Sequence, residues 1–473
     1  MIPAVGFLTA LFIALVAGPL GRRLWFDELF TFYIAQAPSL ARLFDGIAHV
    51  DLNPPLIYLL VRLFHRLAGT SELITRLPAA IGFYLGSIGV LVFLRRRIGV
   101  LWGTAAVLLF WTTPYFRLAT QARPYGLLFG FFAFSLVSYD RRSVKGLAIG
   151  NAGMMLSHVF APLSIAAFGA AELFRTMKTR RIDWRVWGSL ILPLLISLAY
   201  IPATRNFQKF YFPAAFQASG DQILHYYVRL LFLYMYPAGF LGIGLALVAL
   251  PFTKFVRRGL PGGGAAILWS VALLVTPVAL NLVLMRSGGA FWERYCMTSA
   301  LAFYLLVTIG LGWVTGFRKS SGLAACFAFA AVALATPFPP DSQLPEPKAL
   351  EALPGDLPIV SASGLSFLEM DHYLGSSLLS RVYYLVDRPS AIAYAHATIF
   401  ENLPTVAQDF PVRAHVEDYH SFAAAHRRFL VIDRPDYMED WLLRKLCDDG
   451  ASIRLRSTLP GPEREFLLYE VSF

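Results

Sequence analysis

Long apolar runs separated by short basic connections decide what this chain can fold into. Eleven such runs can be read, at about 3–20, 78–94, 100–116, 124–139, 144–157, 159–174, 187–203, 238–254, 264–284, 295–315 and 321–337. Crossing the hydrocarbon of a bilayer takes roughly 17–25 residues of helix. Most of the runs reach or approach that length, and 144–157 is the shortest. A backbone in hydrocarbon must satisfy its own hydrogen bonds, so such runs are read as helices. Charged residues make up 15% of the chain, against about 25% in a soluble domain, and the mean hydropathy is +0.57. The expected fold class is a polytopic α-helical membrane protein of about 11 transmembrane helices, followed by a small soluble α/β domain.

Lysine and arginine orient the spans. The connections after the second, fourth, sixth, eighth and tenth runs hold Arg95–Arg97, then Arg141, Arg142 and Lys145, then Arg175 to Arg185, then Lys254, Arg257 and Arg258, then Arg318 and Lys319. Short loops rich in lysine and arginine stay cytoplasmic. The N-terminus is then expected in the cytoplasm, with the first loop and the C-terminal domain outside. Arg22 and Arg23 lie on the outer side in this scheme and oppose it locally. The net charge of +11 belongs to these connections and does not call for a nucleic acid partner. The first run has no basic leader and no clean cleavage site, so it reads as an uncleaved anchor.

Two connections are long. In residues 21–77, Leu40–Phe44 and Leu59–Leu67 read as amphipathic helices lying in the interface, with Arg42, Arg62 and Arg66 on their polar faces. Residues 204–237 are rich in aromatics, including Phe207, Phe210, Tyr211, Phe212, Tyr226 and Tyr227. Beyond Pro339–Pro340 the composition becomes that of a soluble domain, which divides the chain into 1–340 and 341–473. Leu357–Ser363, Arg381–Val386, Phe429–Asp433 and Phe466–Ser472 read as strands, and Asp436–Cys447 as a helix stopped near Gly450. The three cysteines, Cys296, Cys326 and Cys447, have no metal or disulfide spacing.

Chemistry-bearing residues collect on the side assigned as outer. Asp27 and Glu28 follow the first span, beside Trp25 and Phe26. Carboxylates at a membrane surface are costly to desolvate and usually have a task or a partner; the plainer reading is a solvated loop paired to Arg22 or Arg23. Asp51 and Asn53 precede the rigid bend Pro54–Pro55, either as site residues or as helix caps. Arg123, Pro124 and Tyr125 open the fourth span, where an arginine at a helix N-terminus suits a phosphate or simply snorkels. His158 sits between the fifth and sixth spans. Arg294 and Tyr295 open the tenth, as ligands or as interface anchors. Each signal is weak by itself. Their shared face, under an orientation derived without them, suits attack on a phosphate-activated, lipid-held substrate.

These motifs resemble the GT-C superfamily of membrane glycosyltransferases, in the branch of protein O-mannosyltransferases and aminoarabinose transferases. Asp27–Glu28 is similar to the acidic pair that opens the family's first outer loop. Asn53-Pro54-Pro55-Leu56 with Tyr58 resembles its His-Pro-Pro-Leu-Tyr stretch. Gly69-Thr70-Ser71-Glu72 with Arg76-Leu77-Pro78 resembles the run into the second span, and Ala122-Arg123-Pro124-Tyr125 its Ala-Arg-Pro-Tyr motif. His158 and Arg294–Tyr295 fall where members carry a histidine and an Arg-Tyr pair. The resemblance implies an inverting transfer of a sugar from a polyprenyl-phosphate donor to an acceptor hydroxyl at the outer face of the plasma or inner membrane. It assigns Asp27 and Glu28 to catalysis and Asp51, Asn53, Arg123, Tyr125, His158, Arg294 and Tyr295 to substrate binding. The implied partners are the lipid-linked donor, membrane lipids, and a lipid, glycan or protein acceptor. Some members use a divalent metal. Asn53 replaces the family histidine and Gln121 an acidic residue, two changes that remove metal ligands and favour a site without a tightly bound ion. The rival classes are a transporter or flippase of lipid-linked sugars and a non-catalytic envelope assembly protein. A transporter usually carries mid-membrane charge and repeat symmetry, and neither is legible here.

Overall fold

The structure, a computed structural model, describes residues 1–210, 217–249, 263–353, 355, 357–434, 441–462 and 464–473. The basic connection at Lys254, Arg257 and Arg258 lies outside the described residues, as do Tyr211, Phe212 and the start of the helix expected from Asp436; the Phe207 and Phe210 side chains are not described either. In chain order the helices are α1 (Ile2–Leu20), α2 (Phe26–Ala35), α3 (Leu40–His49), α4 (Leu56–Ala68), α5 (Glu72–Arg95), α6 (Val100–Trp111), α7 (Tyr125–Asp140), α8 (Val144–Ser157), α9 (Ala161–Thr179), α10 (Trp184–Ile191), α11 (Ile201–Phe210), α12 (Gly220–Val228), α13 (Ala238–Ala249), α14 (Gly263–Ser287), α15 (Met297–Val314), α16 (Lys319–Ala335), α17 (Pro347–Glu351) and α18 (Gly364–Tyr373). They belong to two compact units. One is helical and comprises Met1–Gly21, Asn53–Ile201 and Ala218–Phe338; the other comprises Arg22–Leu52, Pro202–Gln217 and Pro339–Phe473.

In the helical unit, helix occupies each of the eleven apolar runs. Among the described residues, five helices are by themselves long and apolar enough to cross a membrane, and a sixth if the bent pair Gly220–Leu233 and Ala238–Leu245 counts as one span. The core of the unit is α5 packed along α7 and α7 along α8. Glycine makes the first of these approaches possible. A Cβ on Gly82 would lie 2.8 Å from the Gly126 carbonyl oxygen, and one on Gly126 would collide with the Ala79 carbonyl. Small residues let membrane helices come this close and gain dispersion contacts. Gly126→Ala is therefore expected to force two backbones apart and cost about 1–3 kcal/mol, as overpacked cores do. A lower thermal midpoint in detergent checks this, with Gly6→Ala, whose Cβ meets nothing within 4 Å, as the unaffected control.

The Arg76-Leu77-Pro78 motif has a structural task. Arg76 is 3% exposed and its Nη1 donates to the carbonyls of Pro19 and Leu20, at 3.3 and 3.1 Å. The last carbonyls of a helix lack intrahelical partners, and a cation there also meets the negative end of the dipole. Arg76 thus closes the C-terminus of α1. His65 on α4 shares a 2.9 Å hydrogen bond with Thr75, beside it on α5. The bend at Pro54–Pro55 starts α4 at Leu56, with Pro55 as its cap residue and no side-chain cap from it. Leu63 and Leu67 are exposed on α4, as are Leu40 and Phe44 on α3. That apolar exposure fits helices lying in a membrane surface.

The other unit is built on a six-stranded sheet of β1 (Ile359–Ser361), β2 (Val382–Val386), β3 (His415–Asp418), β4 (Arg428–Asp433), β5 (Ser452–Leu459) and β6 (Phe466–Ser472), in the order β3-β2-β1-β4-β6-β5. The pairs β1–β2, β1–β4 and β2–β3 are parallel, and β4–β6 and β5–β6 antiparallel. Four strands match the sequence expectation, although β1 is shorter than Leu357–Ser363. The expected helix is Leu442–Asp448 among the described residues. β3 and β5 were not foreseen. Both are edge strands with largely exposed residues, so the alternation of buried and polar positions that marks a strand is missing. Helix α18 follows β1 and packs against α2, which brings the first loop onto the C-terminal residues.

Candidate functional site

Asp27 and Glu28 lie in the first turn of α2. Glu28 is fully buried, and its carboxylate accepts the backbone N–H of Trp25 at 3.2 Å. A third-position acid reaching back to the residue ahead of the helix satisfies one of the donors a helix start leaves open. Asp27, one residue earlier, is half-buried. Glu28 thus holds the turn, and Asp27 stands beside it in the same turn. Asp51, in the same unit, is 9% exposed.

Helix α18 supplies polar groups that the sequence reading did not single out. Glu369 is fully buried and accepts from Ser342 Oγ at 2.5 Å and from the Gln343 N–H at 2.9 Å. Asp371 accepts the N–H groups of Arg413 and Ala414 at 2.6 and 2.8 Å. His372 Nδ1 lies 3.1 Å from the Tyr33 hydroxyl, and the Tyr373 hydroxyl accepts the Leu24 N–H at 2.6 Å. The available signal was a charge inside an apolar run, Phe367-Leu368-Glu369-Met370. Burial holds the Tyr33 hydroxyl far above its usual range, and the Asp371 charge adds to this.

Two carboxyls in this unit are pushed up. Burial raises Glu369 to about 8, with the Glu28 charge adding to the effect, and burial with the Asp387 charge raises Glu401 to about 7. A carboxyl raised on folding favours the folded state while it is neutral, and that advantage is lost as pH rises from the unfolded value through the folded one. The thermal midpoint is expected to fall between pH about 5 and about 9, and Glu369→Gln, which stays neutral, to flatten part of that fall. Calorimetry of both proteins across that range checks it.

In the helical unit, Tyr125, His158 and Tyr295 converge. Tyr125 is the first residue of α7, His158 caps the end of α8, and Tyr295 lies in the tight turn Glu293–Cys296 ahead of α15. The His158 ring is 5.2 Å from the Tyr125 ring and 5.6 Å from that of Tyr295, and Phe160 completes the group at 4.9 Å from Tyr295. The Phe160 N–H donates to His158 Nδ1 at 3.1 Å. That bond makes Nδ1 an acceptor, so a neutral ring carries its proton on Nε2. The Arg294 guanidinium lies 5.5 Å from the Trp292 ring and 6.0 Å from the Tyr295 ring, within cation–π reach. Glu293 beside it is taken up by Arg229 at 3.0 Å and by Tyr234. Ser164 and Thr298 join α9 to α15 through a 3.1 Å hydrogen bond. Arg123 is 6% exposed just ahead of α7, and Asn53 is half-buried ahead of the proline bend. Among the described residues no three histidine, cysteine or acidic side chains gather closely enough to hold a metal ion.

No protein-family model matches the sequence, and no curated protein matches it. Solved structures do. ArnT from Cupriavidus metallidurans bound to undecaprenyl phosphate is similar over 99% of this chain and 97% of its own, with a TM-score of 0.53 at 14% identity. The apo form of the same protein covers the same shares with a TM-score of 0.44 at 13% identity. The Archaeoglobus fulgidus oligosaccharyltransferase in complex with Zn and sulfate matches 90% of this chain and 67% of its own, with a TM-score of 0.43 at 12% identity. The fold assignment rests on the first of these. With its apolar helices and the small sheet that follows them, this chain is a multi-pass membrane protein with the GT-C fold of ArnT.

Proposed function

We infer that the protein is an inverting glycosyltransferase that moves a sugar from a polyprenyl-phosphate donor to an acceptor hydroxyl at the outer face of the membrane. The observation that carries this reading is the acidic pair, with Glu28 buried as the brace of the first turn of α2 and Asp27 half-buried beside it. The fold supports it, because the GT-C protein it matches over almost its whole length was solved with undecaprenyl phosphate. Residues 341–473 form the extracytoplasmic domain of this reading, the N-terminus is cytoplasmic, and the membrane is the plasma or inner membrane.

Asp27 is the general base. It takes the proton of the acceptor hydroxyl as that oxygen bonds to the anomeric carbon. The bond from that carbon to the phosphate oxygen breaks, and its electron pair leaves on the polyprenyl phosphate. Negative charge grows on that leaving group, and Arg294 with Arg123 neutralises it, which lowers the barrier more than it aids ground-state binding. The His158 Nε2–H is a further donor for phosphate or sugar oxygens, with Tyr125 and Tyr295 shaping that wall. Asp51 and Asn53 bind substrate, and Asp51 stabilises the oxocarbenium-like transition state expected for sugar transfer. A lipid carries the donor, so no nucleotide site is needed, in keeping with a sequence that has no glycine-rich phosphate loop of known form. No step of this scheme passes through a metal.

The stereochemical course tests the reading. NMR of the product formed from a donor of known anomeric configuration is expected to show inversion. Retention would require a covalent intermediate and would remove Asp27 from the role of base.

A further inference from the structure

We propose that Arg229 and Tyr234 are positioning residues for donor binding: they hold the Glu293 carboxylate and keep it from competing with the donor phosphate for the adjacent Arg294. This rests on the reading of Arg294 as the arginine that meets that phosphate.

An acid next to a phosphate-binding arginine works against it. Adjacent Cα atoms stand about 3.8 Å apart, and both side chains are long. A loose Glu293 carboxylate would therefore draw on the charge that the phosphate needs. That carboxylate has other partners. Arg229 Nη1 donates to Glu293 Oε1 at 3.0 Å, and the Tyr234 hydroxyl donates to Oε2. Each oxygen thus has a donor of its own, and one of the two donors carries the matching charge. Both come from one short segment: Arg229 follows α12 directly, and Tyr234 follows the single wide turn Arg229–Leu233.

The backbone of the turn is held as well. The buried Tyr115 hydroxyl donates to the Glu293 carbonyl at 3.3 Å, and the buried Tyr226 of α12 donates to the Cys296 carbonyl at 3.5 Å. The Tyr115 and Tyr234 rings meet edge-on at 6.0 Å. Within the turn, the Tyr295 N–H donates to the Trp292 carbonyl at 3.0 Å. Glu293–Cys296 is thus tied at both ends of its backbone and at its acidic side chain, and Arg294 between them lies over Trp292 and Tyr295. This gives the aromatic-rich connection ahead of α13 a task, since α12 and the turn after it hold the residues around Arg294. A bridge that only fastened the turn would not depend on whether Glu293 is charged. A bridge that shields Arg294 does, and a second substitution separates the two.

The test is binding of undecaprenyl phosphate by the purified protein in detergent, with undecaprenol, the same lipid without its phosphate, for comparison. Arg229→Ala is expected to weaken undecaprenyl phosphate about tenfold and to leave undecaprenol within about twofold, because the freed carboxylate acts on charge alone. Tyr234→Phe, which removes one hydroxyl, should weaken the phosphate on the order of threefold, and it decides the matter should Arg229→Ala fail to fold. Adding Glu293→Gln to either variant removes the competing charge and should bring the phosphate affinity back to within about twofold of wild type, a coupling that independent sites do not show. Unchanged affinity in both single variants overturns the proposal, as does equal weakening of the two lipids or a loss that Glu293→Gln does not repair. If the wild type does not prefer the phosphate to the alcohol, or if Arg294→Ala binds it as tightly as wild type, the reading of Arg294 fails and the proposal falls with it.

Discussion

Asp27→Asn is expected to lower kcat by about 10² to 10⁴ while leaving expression, thermal midpoint and donor KM close to wild type. The lower figure is what a general base usually supplies and the upper one its full contribution. Asparagine keeps the size and one acceptor oxygen but takes up no proton, so the acceptor hydroxyl would attack without losing its hydrogen. Asp27 is half-buried, and the capping bond of the turn belongs to Glu28. That division makes the matching change at Glu28 informative. Glu28→Gln retains an acceptor for the Trp25 N–H, so its loss should be smaller than that of Asp27→Asn. Full activity in Asp27→Asn would take the residue out of the mechanism.

Arg294→Ala is expected to lower kcat/KM by about 10² to 10³, the usual loss when one fixed charge or donor facing a developing anion is removed. Most of it should appear with lipid-linked donors, because the arginine acts on the leaving phosphate. Arg294→Lys should recover only part of the loss. Lysine keeps the charge but not the planar fork that pairs with phosphate oxygens and packs on aromatic faces. The guanidinium lies over Trp292 and Tyr295, so the alanine variant also loses packing. The thermal midpoint separates the two roles. A large fall in it with unchanged kinetics in the surviving protein would make Arg294 an interface anchor and nothing more.

Much of the helical unit was legible because a bilayer imposes length and apolarity on each segment. Helix occurs at all eleven runs, from α1 to α16, and the two surface helices in the first loop are α3 and α4. What hid was whatever depends on a distant partner. Helix α2 buries Phe26, Leu29, Phe30, Tyr33 and Ile34, so it lacks a clear polar face, and α18, against which it packs, lies beyond residue 360. Glu369 shows the same limit. In the sequence it is a lone charge in an apolar run, and only the fold shows it accepting from Ser342 and Gln343. The strands β3 and β5 escaped because edge strands in this sheet bury too little to leave a pattern.

The candidate residues were legible to different depths. The convergence of Tyr125, His158 and Tyr295 could be anticipated, because each opens or closes an apolar run and all three were assigned to one face. The tautomer of His158 could not, since it is set by the backbone N–H of Phe160. Arg76 was read as part of a motif, and its contacts show why a helix junction needs it: its guanidinium donates to two carbonyls at the end of α1. The resemblance in the motifs led to the GT-C fold that the solved ArnT structure bears out.

The most direct test of the account is sugar transfer by the purified protein in detergent, offered a panel of radiolabelled polyprenyl-phosphate sugars and the corresponding nucleotide sugars, with Asp27→Asn alongside. The expected result is label leaving one lipid-linked donor with wild type alone, and none leaving any nucleotide sugar. Equal turnover by the two proteins, or no turnover of any lipid-linked donor by a folded wild type, would contradict it and restore the transporter and assembly readings.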